Sequence, residues 1–205
     1  IVRDTDTLPK HSTVAAIGMF DGVHLGHLTL IDEVKRIAAQ RHLKSAVITF
    51  AQHPQAVLRP DSDIKMLMTV PDKVAEIGRH GIDVTVLLNF TYELSLNNSR
   101  QFLQLLRDRY GVAVLVVGYD HRFGHDKSET FADYVRHGKE LGIDVVKAPE
   151  YLGEYAPVSS SIIRRLIASG KVDDAMRCMG RPYTLSGKVV HGFHNGRGIG
   201  FPTAN

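Results

Sequence analysis

Short apolar runs alternate with stretches in which apolar residues recur every three to four positions, and this rhythm predicts strand, helix, strand, helix along most of the chain. Val14–Ile17, Ala46–Phe50, Val84–Leu88, Val112–Val117 and Ile143–Val146 are rich in branched apolar residues without polar alternation, as strands covered on both faces should be. Between them, Leu30, Val34, Ile37 and Ala38 mark one helix. Pro71 opens another, whose Val74, Ile77 and Gly78 are expected to face the core before Gly81 ends it. Phe102, Leu105 and Leu106 mark a helix stopped at Gly111, and Glu129–Leu141 the next. Such alternation predicts a doubly wound, mainly parallel five-stranded α/β sheet whose right-handed crossovers bring all strand-end loops to one rim. Ile1–Thr13 reads as irregular or as a short edge element. A last short helix is expected over Val172, Ala175, Met176 and Met179, followed by a Gly180-Arg181-Pro182 linker and the alternating, β-rich stretch Tyr183–Val190.

Two helix starts carry candidate chemistry. In the first, Ile17-Gly18-Met19-Phe20-Asp21-Gly22-Val23-His24-Leu25-Gly26-His27, a strand runs through a glycine-bearing turn into a helix. Unpaired backbone N–H groups and the positive end of the helix dipole favour an anion there, and a phosphate would fit the turn. His24 and His27 lie on one side of the opening helical turn and can donate to the same oxygens. Alternatively, one caps the turn and the other packs on it. In the second, Val158-Ser159-Ser160-Ser161-Ile162-Ile163-Arg164, Ser159 or Ser160 should cap a helix ended by Gly170. Its N-terminus, hydroxyls and a two-pronged guanidinium would again suit phosphate oxygens, although a serine cap followed by a surface arginine is also a common structural pattern.

Composition narrows the class. The 205 residues are 43% hydrophobic and 23% charged, ordinary for a globular protein with a sizeable core. No membrane-length apolar run or signal-peptide pattern is present, so a cytoplasmic protein is expected, with no membrane partner. The single cysteine, Cys178, is expected in the core. The net charge of +3 comes from scattered basic residues, not a stripe, so no nucleic-acid partner is expected.

The motif Gly18-x-Phe20-Asp21-Gly22-Val23-His24-x-Gly26-His27 closely resembles the signature of the bacterial bifunctional flavin enzymes, in which riboflavin kinase is fused to FMN adenylyltransferase. The resemblance continues in order along the chain. Ala51-Gln52-His53-Pro54 is similar to the family's Phe-x-Pro-His-Pro, with Gln52 in place of proline. Gly118-Tyr119-Asp120-His121-Arg122-Phe123-Gly124 is similar to its Gly-x-Asp/Asn-Phe-x-Phe-Gly, with His121 in place of the first aromatic. The serine motif is similar to Ile-Ser-Ser-Thr-x-Ile-Arg, with Ser161 in place of threonine. Gly200-Phe201-Pro202-Thr203-Ala204-Asn205 resembles the opening motif of the kinase domain.

The resemblance implies a nucleotidylyl-transferase (Rossmann-like) domain over residues 1–180, then the start of a riboflavin kinase β-barrel over 183–205. It implies transfer of AMP from Mg-ATP to FMN, yielding FAD and pyrophosphate, with riboflavin phosphorylation in the complete protein. ATP, FMN and riboflavin would be the small-molecule partners and Mg²⁺ the metal. Catalytic roles would fall to His24, His27, Ser160 and Arg164, and ATP contacts to Gly18, Phe20, Asp21, Gly26, Ser159 and Ser161. His53, Asp120 and Phe123 would contact flavin, while Thr203 and Asn205 would serve metal and ATP in the kinase site. His53 reads equally well as a turn histidine facing water. Two rival readings are a same-fold enzyme with another acceptor, such as a phosphopantetheine or pyridine mononucleotide, and a nucleotide-binding module without catalysis.

Overall fold

A computed structural model describes residues 1–3, 6–119, 122–126, 128–190 and 195–200. Its centre is a parallel sheet of six strands: β1 (Val2–Arg3), β2 (Thr13–Ile17), β3 (Lys44–Phe50), β4 (Val84–Leu88), β5 (Val112–Val117) and β6 (Asp144–Lys147), in the order β1-β4-β3-β2-β5-β6. The expected five strands are all present. The sixth is the edge pair Val2 and Arg3 against Val86 and Leu87 of β4, too short to leave a periodic signature.

Successive strand residues point to opposite faces, so each strand feeds two cores. On one face Ala15, Ile17, Ile48, Phe50, Val86 and Leu115 pack with Phe102, Leu103 and Leu106 of α5 (Ser99–Tyr110) and with Tyr134 and Leu141 of α6 (Phe131–Leu141). On the other, Val14, Ala16, Val47, Val114 and Val116 pack with Leu30, Ile31, Val34 and Ile37 of α1 (Leu25–Arg41) and with Ile77 of α3 (Val70–Arg79). A third cluster lies at the carboxyl rim. There Leu67 packs against Ile163 of α7 (Ser160–Ala168) and against Ala175, Cys178 and Met179 of α8 (Val172–Met179). Cys178 is buried, as expected.

Connectivity runs outward from β2 in both directions, to β3 and β4 on one side and to β5 and β6 on the other. The carboxyl ends of β2 and β5 therefore diverge into a crevice, the place where open α/β sheets bind ligands. Among the described residues three short helices escaped the periodicity: α2 (Pro54–Leu58) after β3, α4 (Tyr92–Ser95) after β4 and α9 (Asn195–Gly198).

Two expectations need correction. In α3 the buried residues are Lys73, Glu76 and Ile77, while Val74 is only half-buried and Gly78 is exposed. Buried polar partners turn the helix so that its charged residues face inward. The described residues of Tyr183–Val190 form no strand, since none of them meets a second strand with which to build a ladder. Asp120, His121, Thr203 and Asn205 lie outside the described residues.

Candidate functional site

The crevice between β2 and β5 is a cavity of about 480 Å³. Gly18, Met19 and Phe20 close it from β2, Gly118 and Tyr119 from β5, and Ala148 and Pro149 from β6. The N-termini of two helices open onto it: α1 through His24, Gly26 and His27, and α7 through Ser159, Ser160, Ser161 and Arg164. The fold thus brings both sequence motifs, some 135 residues apart, to one anion-favouring space.

His24, only 5% exposed, is the N-cap of α1, and its Nδ1 accepts from the backbone N–H of His27 at 3.3 Å. A neutral ring accepting at Nδ1 carries its proton on Nε2, so this bond fixes the tautomer and leaves Nε2 as a donor. The two rings stack 3.6 Å apart, and Phe20 supports His27 from 4.9 Å. Capping and joint donation, alternatives in the sequence, are thus compatible roles. Gly26 permits this packing, because a Cβ there would press on the His24 ring at 3.3 Å.

The turn itself is strained. Phe20 has φ +50°, Gly22 +82° and Val23 +38°, the last a fully buried β-branched residue in a region such residues avoid. Side chains from remote elements take up its inward carbonyls. Thr49 Oγ1 and Lys73 Nζ donate to Met19 O at 2.9 and 3.1 Å, Ser160 Oγ donates to Asp21 O at 2.9 Å, and Arg181 donates to Gly22 O and Val23 O at 2.7 and 2.9 Å. The hydroxyl proton of Ser160 therefore serves the turn, although the residue lines the cavity. Ser159 is the N-cap of α7, accepting from Ile162 N.

Asp21 is a buried counter-ion. Its carboxylate accepts from Leu67 N at 2.9 and 3.1 Å and from Arg164 Nη2 at 2.5 Å, while Arg164 Nε donates to Lys65 O at 2.7 Å. The Arg164 guanidinium is thus held by two of its five N–H groups, and the residue lines the cavity.

Lys73 and Arg181 were not singled out from the sequence. Lys73 is 1% exposed, and its amine also donates to Phe50 O at 2.8 Å, tying the end of β3 to the turn after β2. Burial lowers its pKa to about 8, against the pull of nearby Asp21. An apolar helical face interrupted by a lysine at the Ile77 minus four position was the available signal. Gln52, in place of the family's proline, donates to Phe90 O at 2.8 Å and links the loops after β3 and β4.

His53 is the N-cap of α2, its Nδ1 accepting from Gln55 N at 3.1 Å, and it also lines the cavity. Burial and the positive charge of Arg164 lower its pKa. Phe123 lines a different, apolar pocket of about 450 Å³ on the α5 side of the sheet, shared with Phe50, Phe90, Leu94 and Phe102. It stacks on Tyr134 at 4.2 Å. Ile17 contributes to both spaces.

Among the described residues no cluster of three His, Cys, Asp or Glu side chains could hold a metal ion, and no helix is long and apolar enough to cross a membrane.

Residues 7–162 match the family described as FAD synthetase, and residues 179–205 match riboflavin kinase. The bifunctional riboflavin kinase/FMN adenylyltransferase of Listeria monocytogenes is 35% identical, over 98% of this chain and 64% of its own length. The Bacillus subtilis protein of the same name is 36% identical over 94% of this chain and 61% of its own, and that of Escherichia coli K12 30% identical over 100% and 66%. The chain thus spans a little under two thirds of these curated relatives. A solved structure described as a macrolide-efflux protein from Streptococcus pneumoniae superposes with a TM-score of 0.85 at 28% identity, covering 100% of this chain and 68% of that one.

Proposed function

The chain belongs to the FAD synthetase family, and from that premise we propose that it transfers the AMP moiety of Mg-ATP to FMN, giving FAD and pyrophosphate. The observation that carries this reading is the single cavity onto which the N-termini of α1 and α7 both open, bordered through Ile17 by an apolar pocket of about 450 Å³. The nucleotide phosphates occupy the first space. The isoalloxazine ring occupies the second, against Phe50, Phe90 and Phe123, with His53 reaching it from the wall of the first, and we keep Asp120, outside the described residues, as a flavin contact on the resemblance alone.

In this reading an oxygen of the FMN phosphate attacks the α-phosphorus of ATP in line. One P–O bond forms, the bond to the bridging oxygen of the β-phosphate breaks, and pyrophosphate leaves with the electron pair. Both reacting phosphates are ionised, so no general base is required and catalysis rests on alignment and charge stabilisation. His24 Nε2 and His27 donate to the triphosphate, as do the N–H groups at the start of α1. Arg164, aimed by Asp21, and the start of α7 with Ser160 and Ser161 hold the other phosphate oxygens. Magnesium arrives with ATP as part of the substrate. Among the described residues of the cavity wall the buried carboxylate is Asp21, and it is paired with Arg164.

We take residues 1–180 as the adenylyl-transfer unit and 183–205 as the opening of a riboflavin kinase unit, with Thr203 and Asn205 as its ATP and metal contacts. The complete protein would then also phosphorylate riboflavin. We place the reaction in the cytosol, where a lone thiol such as that of Cys178 stays reduced. Incubating the protein with Mg-ATP and, in parallel, FMN, a phosphopantetheine or nicotinamide mononucleotide tests the acceptor. Chromatography should find an adenylylated product with FMN only, and preference for another acceptor would overturn the assignment.

A further inference from the structure

The FAD synthetase match ends at residue 162, whereas Arg181 falls within the stretch matching riboflavin kinase. By sequence it lies in the linker that leads into the second unit, yet its side chain is built into the first. Nη2 donates to Gly22 O at 2.7 Å and Nη1 to Val23 O at 2.9 Å, with a further contact from Nη1 to Met179 O at 3.4 Å. On its other edge Nε pairs with Glu76 Oε1 at 3.1 Å, a carboxylate only 8% exposed that also pairs with Arg79 and His80. The guanidinium therefore bridges α3 to the two carbonyls immediately before His24.

Those carbonyls belong to the strained part of the turn. Gly22 and Val23 hold φ of +82° and +38°, and a β-branched residue keeps such a backbone only where its surroundings over-determine it. Arg181 supplies that determination at both residues at once, through the planar fork that only arginine has. Relaxation of Val23 would rotate the next residue, His24, and with it the stacked His27 ring.

We propose that Arg181 is a positioning residue for adenylyl transfer, setting the phosphate turn from the segment that leads into the second unit. The inference rests on the functional reading above. It makes the linker part of the first active site, so that movement of the second unit would be felt at the ATP phosphates and not at the flavin pocket.

The test compares full-length wild-type protein with Arg181→Ala, Arg181→Lys and the surface control Arg177→Ala, measuring FAD formation, calorimetric ATP binding and thermal melting. Loss of alignment at a reacting phosphate should lower kcat/KM for ATP about 10- to 100-fold in Arg181→Ala with KM for FMN unchanged. Arg181→Lys keeps the charge near Glu76 but cannot serve both carbonyls, so it should still fold, with a lowered melting temperature, and lose most of the ATP-side efficiency. Arg177→Ala should match wild type. Wild-type kcat/KM for ATP in a folded Arg181→Ala, or full activity in Arg181→Lys, would overturn the proposal, and the lysine variant decides the matter if the alanine variant does not fold. Should wild type make no FAD, the functional reading fails, while unchanged ATP affinity in Arg181→Lys would separately refute the role of the clamp.

Discussion

Replacing Lys73 with methionine isolates the energetics of a cation buried beneath the phosphate turn. The two opposing terms can be worked from the structure. Its pKa falls from 10.5 to about 8, a shift that corresponds to roughly 3 kcal/mol between the charged and neutral forms. Against that, methionine leaves Phe50 O without the amine, costing about 1–3 kcal/mol, whereas Met19 O keeps Thr49. At pH 7 these terms nearly cancel. Above the folded value the unfolded lysine binds more protons than the native one, so native stability rises with pH between about 8 and 10.5 and is level on either side. Urea unfolding of both proteins at steps from pH 7 to 10.5 should show wild type gaining about 3 kcal/mol on Lys73→Met, all of it above pH 8. Parallel pH curves, or a wild type that weakens relative to the variant, would refute the reasoning and mean that the amine is solvated.

Three further outcomes follow from the same geometry. His27→Ala should lower adenylyl transfer on the order of 10²-fold with little change in FMN binding, by steady-state kinetics and flavin fluorescence, as expected for loss of one aimed donor. Arg164→Lys should raise KM for ATP despite its retained charge, because an ammonium cannot bond Asp21 and Lys65 O together and still offer a fixed third donor. At Gly124, φ is +91° and a Cβ would lie 2.7 Å from Ser99 N, so Gly124→Ala should push the Arg122–His125 segment off α5 and raise KM for FMN but not for ATP.

The five main strands were legible because buried parallel strands carry an unbroken apolar signal, and both phosphate-facing helix starts because glycine, serine and histidine punctuate them. The inward face of α3 was not. Periodicity reads apolar residues, whereas Lys73 and Glu76 are buried by partners far away in sequence: carbonyls at Met19 and Phe50, and the guanidinium of Arg181. Likewise Arg164 and Ser160 were found by motif, but how much of each side chain is spent on Asp21 and how much faces the cavity is a tertiary fact. Val2–Arg3 gains its strand character only by lying beside β4. His53, readable in sequence either as a flavin contact or as a turn histidine facing water, caps the short helix α2, which left no periodic signature, and lines the cavity wall.

The central claim is direct transfer at the α-phosphorus within one cavity. It is tested most directly by following ATP labelled at the α-phosphate with FMN present and absent. With FMN, the label should appear in FAD together with one equivalent of pyrophosphate, and without FMN it should stay in ATP. Label trapped on the protein before FMN is added, or released as ADP or AMP in place of FAD, would contradict the account.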